Sequence, residues 1–391
     1  MLNRRVFLQL SGAGVIESLI RSGAAFAQTP GEKRFVFIFL RGGLDGLHAL
    51  APVADPDYRR LRPTLALEGD QLSYLDGYFG LHSALSGLVP LYQAGELALV
   101  PAASTRYRNR SHFDGQNMLE NGSGRPFGAH DGWLNRAILG LNGAERRLGL
   151  ALGPTVPLLL QGAAEIRTFA VSPLPEVDDD YLFRLGQLYK NDPLFARAFS
   201  AAQAGMDPTA TMEGTGSAPL ARRDFAVSAQ VAAELMSQPG GPRIAAMEMQ
   251  GWDTHFGQAG RLNALLADLA QGIMDLRSGL GAAWRDTVVM VASEFGRTAA
   301  ENGSRGTDHG TGGLVLLAGG AVSGGRIHGD WPGLSSRMLY EERDVAAVNT
   351  SEGLFKAVLT QHLGLSEAFV EDTVFPDSLA TPPFDGLIRQ T

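Results

Sequence analysis

The sequence predicts an α/β protein of three layers, in which a mostly parallel sheet lies between helices on both faces. Short apolar runs rich in Val, Ile, Phe and Leu recur along the chain, as is typical of buried parallel strands. Longer segments with helical leucine spacing alternate with these runs. No internal repeat or linker divides the 391 residues, so we expect one domain with insertions.

Five runs predict the strands. The first, RFVFIFL, is continuous and aromatic, and it ends in the Gly-rich turn RGGLDG. The predicted strands are residues 34–40, 97–103, 148–160 (broken by a turn), 243–250 and 287–292. A further apolar run covers residues 313–320.

The segments between these runs predict helices. The longest carries a leucine-rich stripe from Leu262 to Leu280, and another is ended by Asn121-Gly122. The predicted helices are residues 81–96, 111–122, 178–205, 224–238, 262–280 and 350–365. The polar segment 206–221 predicts a surface loop.

Composition excludes several classes of function. The net charge is −8, and no basic run extends beyond short pieces such as 106–110, so a nucleic-acid groove is not expected. The chain has no cysteine, which excludes disulfides, thiolate metal sites and a cysteine nucleophile. Any metal must therefore be bound through carboxylate, imidazole, amide or hydroxyl groups.

The N-terminus predicts an export signal over residues 1–27. Arg4 and Arg5 precede Phe7 and Leu8, a mildly apolar stretch follows, and the segment ends in an A-x-A pattern. The RRxFL arrangement resembles the twin-arginine signal, which would make the twin-arginine translocase a partner during export. The apolar stretch is too short for a stable membrane anchor, so we expect a periplasmic or secreted domain over residues 28–391.

Reactive side chains follow four of the predicted strands. In open α/β sheets, ligands bind beyond the carboxyl ends of the strands, and parallel strands bring those ends to one edge. The first strand is followed by Asp45, the second by Ser111 and His112, and the fourth by Asp253 and His255. The fifth is followed by Glu294 and Arg297, and then by Asp308 and His309.

This set suits a divalent metal. Carboxylate oxygens and imidazole nitrogens bind zinc, and mixed oxygen and nitrogen ligands also suit manganese, whereas oxygen-rich sites favour calcium. We expect one or two ions, zinc before manganese or calcium. The candidate ligands are Asp45, Asp253, His255, Glu294, Asp308 and His309.

Each piece of the set also has a structural alternative. Asp45 can satisfy turn amides. Asp253 and His255 can cap the long helix, and Glu294 can pair with Arg297. Ser111 and Asp114 have the S-x-x-D spacing of a helix N-terminal capping box.

Five motifs together resemble a known family. RGGLDGLHALAP, RSHFDGQNMLENG, GWDTHFGQ, SEFGRTAAENGSRGTDHGTGG and GDWPGL resemble the domain-of-unknown-function 1501 family of exported bacterial proteins, over residues 33–385. That family is distantly similar to the alkaline phosphatase superfamily, which includes arylsulfatases. The resemblance implies an alkaline-phosphatase-like fold.

The resemblance also implies roles for individual residues. The first-strand aspartate matches Asp45, the later Asp and His match Asp253 and His255, and the final His matches His309, with Asp308 beside it. The nucleophile falls near Ser111, with His112 or Thr105 as alternatives. The remaining Asp-His pair falls on Glu294-Phe295, so one ligand histidine is replaced by phenylalanine. The chain has no C/S-x-P-x-R motif, which argues against a formylglycine sulfatase.

The resulting hypothesis is a metal-dependent hydrolase or transferase that acts on a small or polymer-linked anionic ester, phosphate before sulfate. One ion is bound by Asp45 and Glu294 and a second by the other cluster, while Arg297, with Arg41 or Arg110, holds the anion. Asp308 orients His309. The alternative is a non-catalytic exported protein that binds a polymer or assists envelope assembly on a hydrolase-like fold, which Phe295 in place of histidine favours.

Overall fold

The computed structural model describes residues 33–141, 148–153, 155–170, 187–190, 192–193, 195–196, 220–376 and 378–390. The predicted signal, most of the helix predicted at 178–205 and nearly all of the loop predicted at 206–221 lie outside these ranges. No helix within them is long and apolar enough to cross a membrane.

The strands are short and most are fully buried. They are β1 (Arg34–Leu40), β2 (Leu50–Ala51), β3 (Leu72–Tyr74), β4 (Gly80–His82), β5 (Leu97–Ser104), β6 (Gly149–Leu152), β7 (Ile166–Phe169), β8 (Ile244–Met249), β9 (Thr287–Ser293), β10 (Gly313–Ala318), β11 (Arg326–Ile327) and β12 (Asn349–Thr350).

Nine of the described strands form one sheet, in the order β11-β5-β10-β9-β1-β8-β6-β7, with β12 also paired to β5. The other three form a small sheet in the order β2-β4-β3. Among the described pairs of the large sheet, only those of β10 are antiparallel. The carboxyl ends of β1, β5, β8 and β9 therefore share one edge with the start of β10.

Helices cover both faces of this sheet. They are α1 (Gly46–Ala49), α2 (Tyr58–Leu61), α3 (Val89–Gln93), α4 (His112–Asn121), α5 (Trp133–Gly140), α6 (Leu220–Ser237), α7 (Gln258–Leu280), α8 (Ser351–Ala357) and α9 (Glu367–Phe369).

The side chains of β1 alternate between two hydrophobic cores, as the two-residue repeat of a strand requires. Val36 and Ile38 pack in the core that contains the buried stripe of α7. Phe35 and Phe37 pack in the opposite core, which contains Trp133 of α5 and the buried face of α8. The predicted three-layer α/β fold with a mostly parallel sheet is confirmed.

Two predicted elements differ from the structure. Leu81 was included in a helix over 81–96, but it lies in β4, paired with Leu50 of β2. A 3-10 helix (Ser83–Leu88) follows, and α3 begins only at Val89, because Pro90 lacks an N–H and is tolerated only in a first helical turn. Ser111 lies just before α4, as expected, but its side chain makes no capping hydrogen bond, so the predicted capping box is wrong.

A buried ion pair beside α1 stabilises the edge of the sheet. Asp45, 1% exposed, accepts from both terminal nitrogens of Arg62 at 2.5 and 3.0 Å, and from Gln258 Nε2 at 2.5 Å. Arg62 also donates to the carbonyl oxygens of Thr298 and Ala299. Burial alone would raise the pKa of Asp45, but the charge and hydrogen bonds of Arg62 outweigh it and lower that pKa.

We expect Asp45→Asn to lower the free energy of unfolding by about 3–5 kcal/mol, because the Arg62 charge remains buried without its partner. The folded-state pKa of Asp45 lies below its unfolded value of about 3.9, so this contribution is present above pH 4 and is lost as the pH falls below it. Thermal unfolding of both proteins at pH 7 and at pH 3 measures the difference, which should shrink at pH 3.

The exposed Asp70→Asn is the control and should unfold like the wild type. A wild-type Tm for Asp45→Asn at pH 7 would contradict a structural role for this pair.

Candidate metal centre

The loop between β9 and β10 folds back along itself over the sheet edge. The backbone N–H of Thr298 donates to the carbonyl of Asp308 at 2.9 Å, and Arg297 pairs with His309 as in an antiparallel ladder. Because β10 runs antiparallel to β9, the loop begins and ends at the same edge. Its far end therefore lies beside the residues that follow β5 and β8.

Four side chains converge at this edge. His309 Nε2 lies 3.0 Å from His112 Nε2 and 2.9 Å from His255 Nε2. Asp253 Oδ1 lies 3.0 Å from His255 Nε2, 3.3 Å from His309 Nε2 and 3.5 Å from His112 Nε2. Among the described residues, His112, Asp253 and His309 form a group whose potential ligand atoms all lie within 4.8 Å of one another.

The outer nitrogen of each histidine faces an oxygen that can only accept. The pairs are His112 Nδ1 with Glu294 Oε1 at 2.7 Å, His309 Nδ1 with the Arg110 carbonyl at 2.9 Å, and His255 Nδ1 with Asp308 Oδ1 at 3.1 Å. Each Nδ1 must therefore carry the hydrogen, and in the neutral ring Nε2 then carries a lone pair. All three histidines direct that lone pair at the cluster.

Three nitrogen lone pairs and a carboxylate this close repel one another unless a cation lies among them. A bond of about 2.0–2.1 Å to zinc places the ligands of a tetrahedral site about 3.3 Å apart, close to the 3.0–3.5 Å that separate the ligand atoms of His112, Asp253 and His309. Histidine ligands that donate their second nitrogen to a carboxylate or carbonyl are usual at metal sites. The side chains are 22–45% exposed, so solvent reaches the cluster. The donor set fits a divalent metal.

The surrounding charges keep the carboxylates ionised. Burial opposes ionisation of Asp253, but its hydrogen bond with Arg297 lowers the pKa to about 2. Burial also disfavours the charged form of His112, but Glu294 outweighs this and raises the pKa of His112. The pKa of His309 is lowered, first by burial and then by the charge of His112.

Two predicted ligands lie outside the cluster, with their oxygens already bound by protein groups. Asp45 is the buried partner of Arg62. Glu294 is fully buried, and its Oε1 accepts from Gly42 N–H, His112 Nδ1 and Gln116 Nε2 at 2.7–2.9 Å. The side chain of Asp308 contacts the outer nitrogen of His255 rather than the centre of the cluster. The structure thus brings together Asp253, His255 and His309 with His112, for which the sequence suggested a nucleophile.

The guanidinium groups predicted to hold an anion already donate hydrogen bonds to protein groups. Arg297, 1% exposed, donates to the carbonyls of Gly42, Gly43, Trp252 and Thr307 and to Asp253. Arg41 contacts Gln116, Glu120 and Glu248, and Arg110 contacts Glu341 and Asp344. Ser111 precedes α4, and its backbone N–H donates to the Tyr107 hydroxyl at 3.3 Å.

Phe295 forms an apolar wall behind the cluster. Its ring is 2% exposed and lies 4.8 Å from the ring of His112. A Cβ on Gly43 or Gly115 would lie only 3.1 Å from this ring, so both glycines leave room for it. The sequence marked Phe295 as a missing ligand but gave no sign that it packs against a ligand.

The observed role of Arg110 is one that the sequence did not predict. Its backbone lies in the left-handed region at φ 62°, seldom adopted outside glycine, and its carbonyl accepts from His309. The side chain is held by Asp344 at 2.7 Å and Glu341 at 2.5 Å. The only signal in the sequence is an arginine placed one residue before Ser111-His112, which does not reveal a carbonyl contact.

The family of the chain follows from a match over the residues that build this cluster. The family model described as "Protein of unknown function (DUF1501)" matches residues 107–371. The chain belongs to this family. The match contains the four clustered residues, their outer partners and Arg297, whereas Asp45 lies before it. A search of curated proteins found no match.

Solved structures share a distant likeness with the chain. Phosphonate monoester hydrolase of Agrobacterium radiobacter is 12% identical, with 85% of this chain and 74% of that chain covered and a TM-score of 0.34. The lipoteichoic acid synthase LtaP from Listeria monocytogenes is 10% identical, with 95% and 82% covered and a TM-score of 0.40. The PsFucS1 sulfatase from Pseudoalteromonas sp. is 12% identical, with 81% and 67% covered and a TM-score of 0.33. These likenesses are too weak to assign an activity.

We expect Glu294→Gln to weaken metal binding about 10- to 100-fold, because the amide can donate to His112 Nδ1 and move the ring hydrogen to Nε2. Competition against a chromogenic chelator measures the Kd for Zn²⁺, and nitrogen NMR of the imidazole reports the tautomer. Circular dichroism checks that the variant folds.

Glu367→Gln, at an exposed position of α9, is the matched control and should bind as the wild type does. A wild-type Kd in Glu294→Gln would show that this carboxylate does not set the His112 tautomer.

Proposed function

We propose that this protein is an exported hydrolase or transferase that uses one divalent metal ion, zinc before manganese or calcium, to act on an anionic ester. The observation that supports it best is the convergence of three Nε2 lone pairs and one carboxylate at a solvent-exposed edge of the sheet. The choice of phosphate before sulfate follows from the superfamily resemblance of the motifs.

The ligands we propose are His112, Asp253 and His309, with His255 as a fourth nitrogen. A single ion fits better than two, because the carboxylate oxygens of Asp45 and Glu294 already accept hydrogen bonds from protein groups. A bound divalent metal supplies Lewis acidity, which polarises an ester oxygen or lowers the pKa of a water.

The residues around the ligands hold them in the required form. Glu294 and the Arg110 carbonyl keep the hydrogen of His112 and His309 on the outer nitrogen. Asp308 does the same for His255, and Asn302 Nδ2 donates to that carboxylate at 3.1 Å. Arg297 fixes Asp253 Oδ1 at 2.6 Å. Arg297 is thus proposed as a positioning residue rather than as the anion clamp.

Ser111 is the remaining candidate for a nucleophile, since His112 belongs to the ligand set. It lies one residue before His112, at the start of α4, where its hydroxyl makes no capping hydrogen bond. A water is the other candidate. Ser111→Ala separates them, because it abolishes turnover only if this hydroxyl forms the covalent intermediate.

The export signal over residues 1–27 remains part of the proposal. The twin-arginine pathway carries folded chains, which would allow the metal to be bound before export. We expect Arg4→Lys with Arg5→Lys to retain the protein in the cytoplasm, measured by fractionation of expressing cells. A Sec-type signal would tolerate the same change, and unchanged export would exclude the twin-arginine route.

We expect purified protein to contain one metal ion per chain, and the metal chelator EDTA to remove both metal and activity. It should also lower the Tm, because binding to the folded state alone stabilises it. His309→Ala and Asp253→Ala should lose the metal, whereas Asp45→Asn should keep it wherever it stays folded. Elemental analysis and assays with phosphate mono- and diesters and a sulfate ester under Zn²⁺, Mn²⁺ or Ca²⁺ test this.

The exposed His130→Ala is the matched control and should retain metal and activity. Absence of metal from the wild type would overturn the site. Metal that depends on these residues, but without turnover of any ester, would instead favour the non-catalytic exported binding protein.

A further inference from the structure

Three exposed phenylalanines lie on, or are hydrogen-bonded to, the two segments that carry His112 and His255. Phe113 is 84% exposed, Phe127 66% and Phe256 63%, although phenylalanine is ordinarily among the more buried residue types. Isolated exposed apolar residues are normal, but a set around a candidate active site indicates an interaction surface. We call Phe113, Phe127 and Phe256 the aromatic rim.

Two members of the rim directly follow proposed metal ligands. Phe113 comes after His112 and Phe256 after His255, so each Cα lies about 3.8 Å from the Cα of a histidine in the cluster. Both histidines contact His309 Nε2, at 2.9 and 3.0 Å. Phe113 at the start of α4 and Phe256 in the loop after β8 therefore lie on different elements, each next to a clustered histidine.

The third ring is held by the helix that carries the first. The backbone N–H of Phe127 donates to Asn117 Oδ1, and Asn117 lies four residues after Phe113, on the same side of α4. The backbone of Phe127 lies in the left-handed region at φ 54°, which residues other than glycine seldom adopt. A specific backbone arrangement thus accompanies the exposed Phe127.

Arginines accompany the rim. The Arg261 guanidinium lies 4.8 Å from the centre of the Phe256 ring, and Arg125, two residues before Phe127, is exposed. Exposed guanidinium groups next to rings offer both a stacking surface and a partner for an anionic group. Arg125 and Arg261 thus offer two cationic groups to a ligand that bears several phosphate or sulfate groups.

Resting on the proposed function, we infer that the substrate ester is carried by an anionic polysaccharide, whose sugar faces stack on the aromatic rim while its other charged groups meet Arg125 and Arg261. The rings lie on separate elements and are interspersed with polar groups, which suits successive sugars with apolar faces and polar edges. Asp253 and Asp308, 45% and 51% exposed, lie among them, and their insertion into a bilayer would be unfavourable.

Binding of fluorescein-labelled dextran sulfate to the metal-loaded protein, followed by anisotropy, tests the inference. The double variant Phe113→Ala with Phe256→Ala should bind about tenfold more weakly, equivalent to about 1.4 kcal/mol. The difference should persist at raised salt, which screens the arginine contacts but not the stacking. The matched control Tyr74→Ala, 63% exposed on β3 of the small sheet, should bind as the wild type does.

Turnover of p-nitrophenyl phosphate separates this inference from the proposed function. The double variant should keep the wild-type kcat on this small ester, because the rings touch only the polymer. Failure of the wild type to hydrolyse any ester overturns the proposed function, while ring-dependent binding of dextran sulfate would still support the rim as a polysaccharide site.

Three outcomes would overturn the inference. One is an unchanged Kd for dextran sulfate in the double variant. The second is a loss of binding in Arg261→Ala alone, with none in the double variant, which would indicate charge without stacking. The third is binding to vesicles of equal parts phosphatidylcholine and phosphatidylglycerol but not to dextran sulfate, which would assign the rim to a membrane surface.

Discussion

The buried guanidinium of Arg297 holds the site together. It donates to backbone carbonyls that follow β1 and β8 and to the carbonyl of Thr307, so three separate loops share one cation. Its contact with Asp253 at 2.6 Å then places that carboxylate against the histidines. Close backbone approach makes this possible: a Cβ on Gly42 would lie 2.5 Å from the nitrogen of Asp253. Burying a cation is unfavourable unless its donors have partners, and each of the three guanidinium nitrogens of Arg297 donates to at least one oxygen.

The cluster brings together nitrogen lone pairs and a carboxylate that repel one another, and the surrounding fold holds them in place. Hydrogen bonds from the outer nitrogens of three rings fix the lone pairs of the inner nitrogens toward one another. Against the effect of burial, Glu294 raises the pKa of His112, so a proton competes with a metal for this ring. Binding of a metal then releases that proton. The hydrogen bonds to the outer nitrogens therefore contribute to metal affinity.

The sequence could predict the fold and the convergence of reactive residues at one edge of the sheet, because both depend on patterns that the chain displays directly. Continuous apolar runs gave the strands, and reactive residues after four of them gave the edge where His112, Asp253, His255 and His309 meet. The split between the proposed ligands and the residues that support them could not be predicted. Asp45 and Glu294 have the side chains of ligands, and only their burial beside Arg62, Gly42 and Gln116 shows what occupies their oxygens. Arg110 acts through its carbonyl, which no residue type encodes.

The antiparallel direction of β10 has a further consequence for how this architecture can diversify. A connection between two parallel strands must run back along the sheet from the carboxyl end of one strand to the amino end of the next. That distance sets a minimum length for the connection. The connection from β9 to β10 returns to the edge from which it left, and its outer turn projects to solvent at residues 303–305. Insertions at this turn would leave the register of both strands and the ladder beneath the clustered residues intact. Relatives could therefore carry longer loops around the site while the strands beneath it stay unchanged.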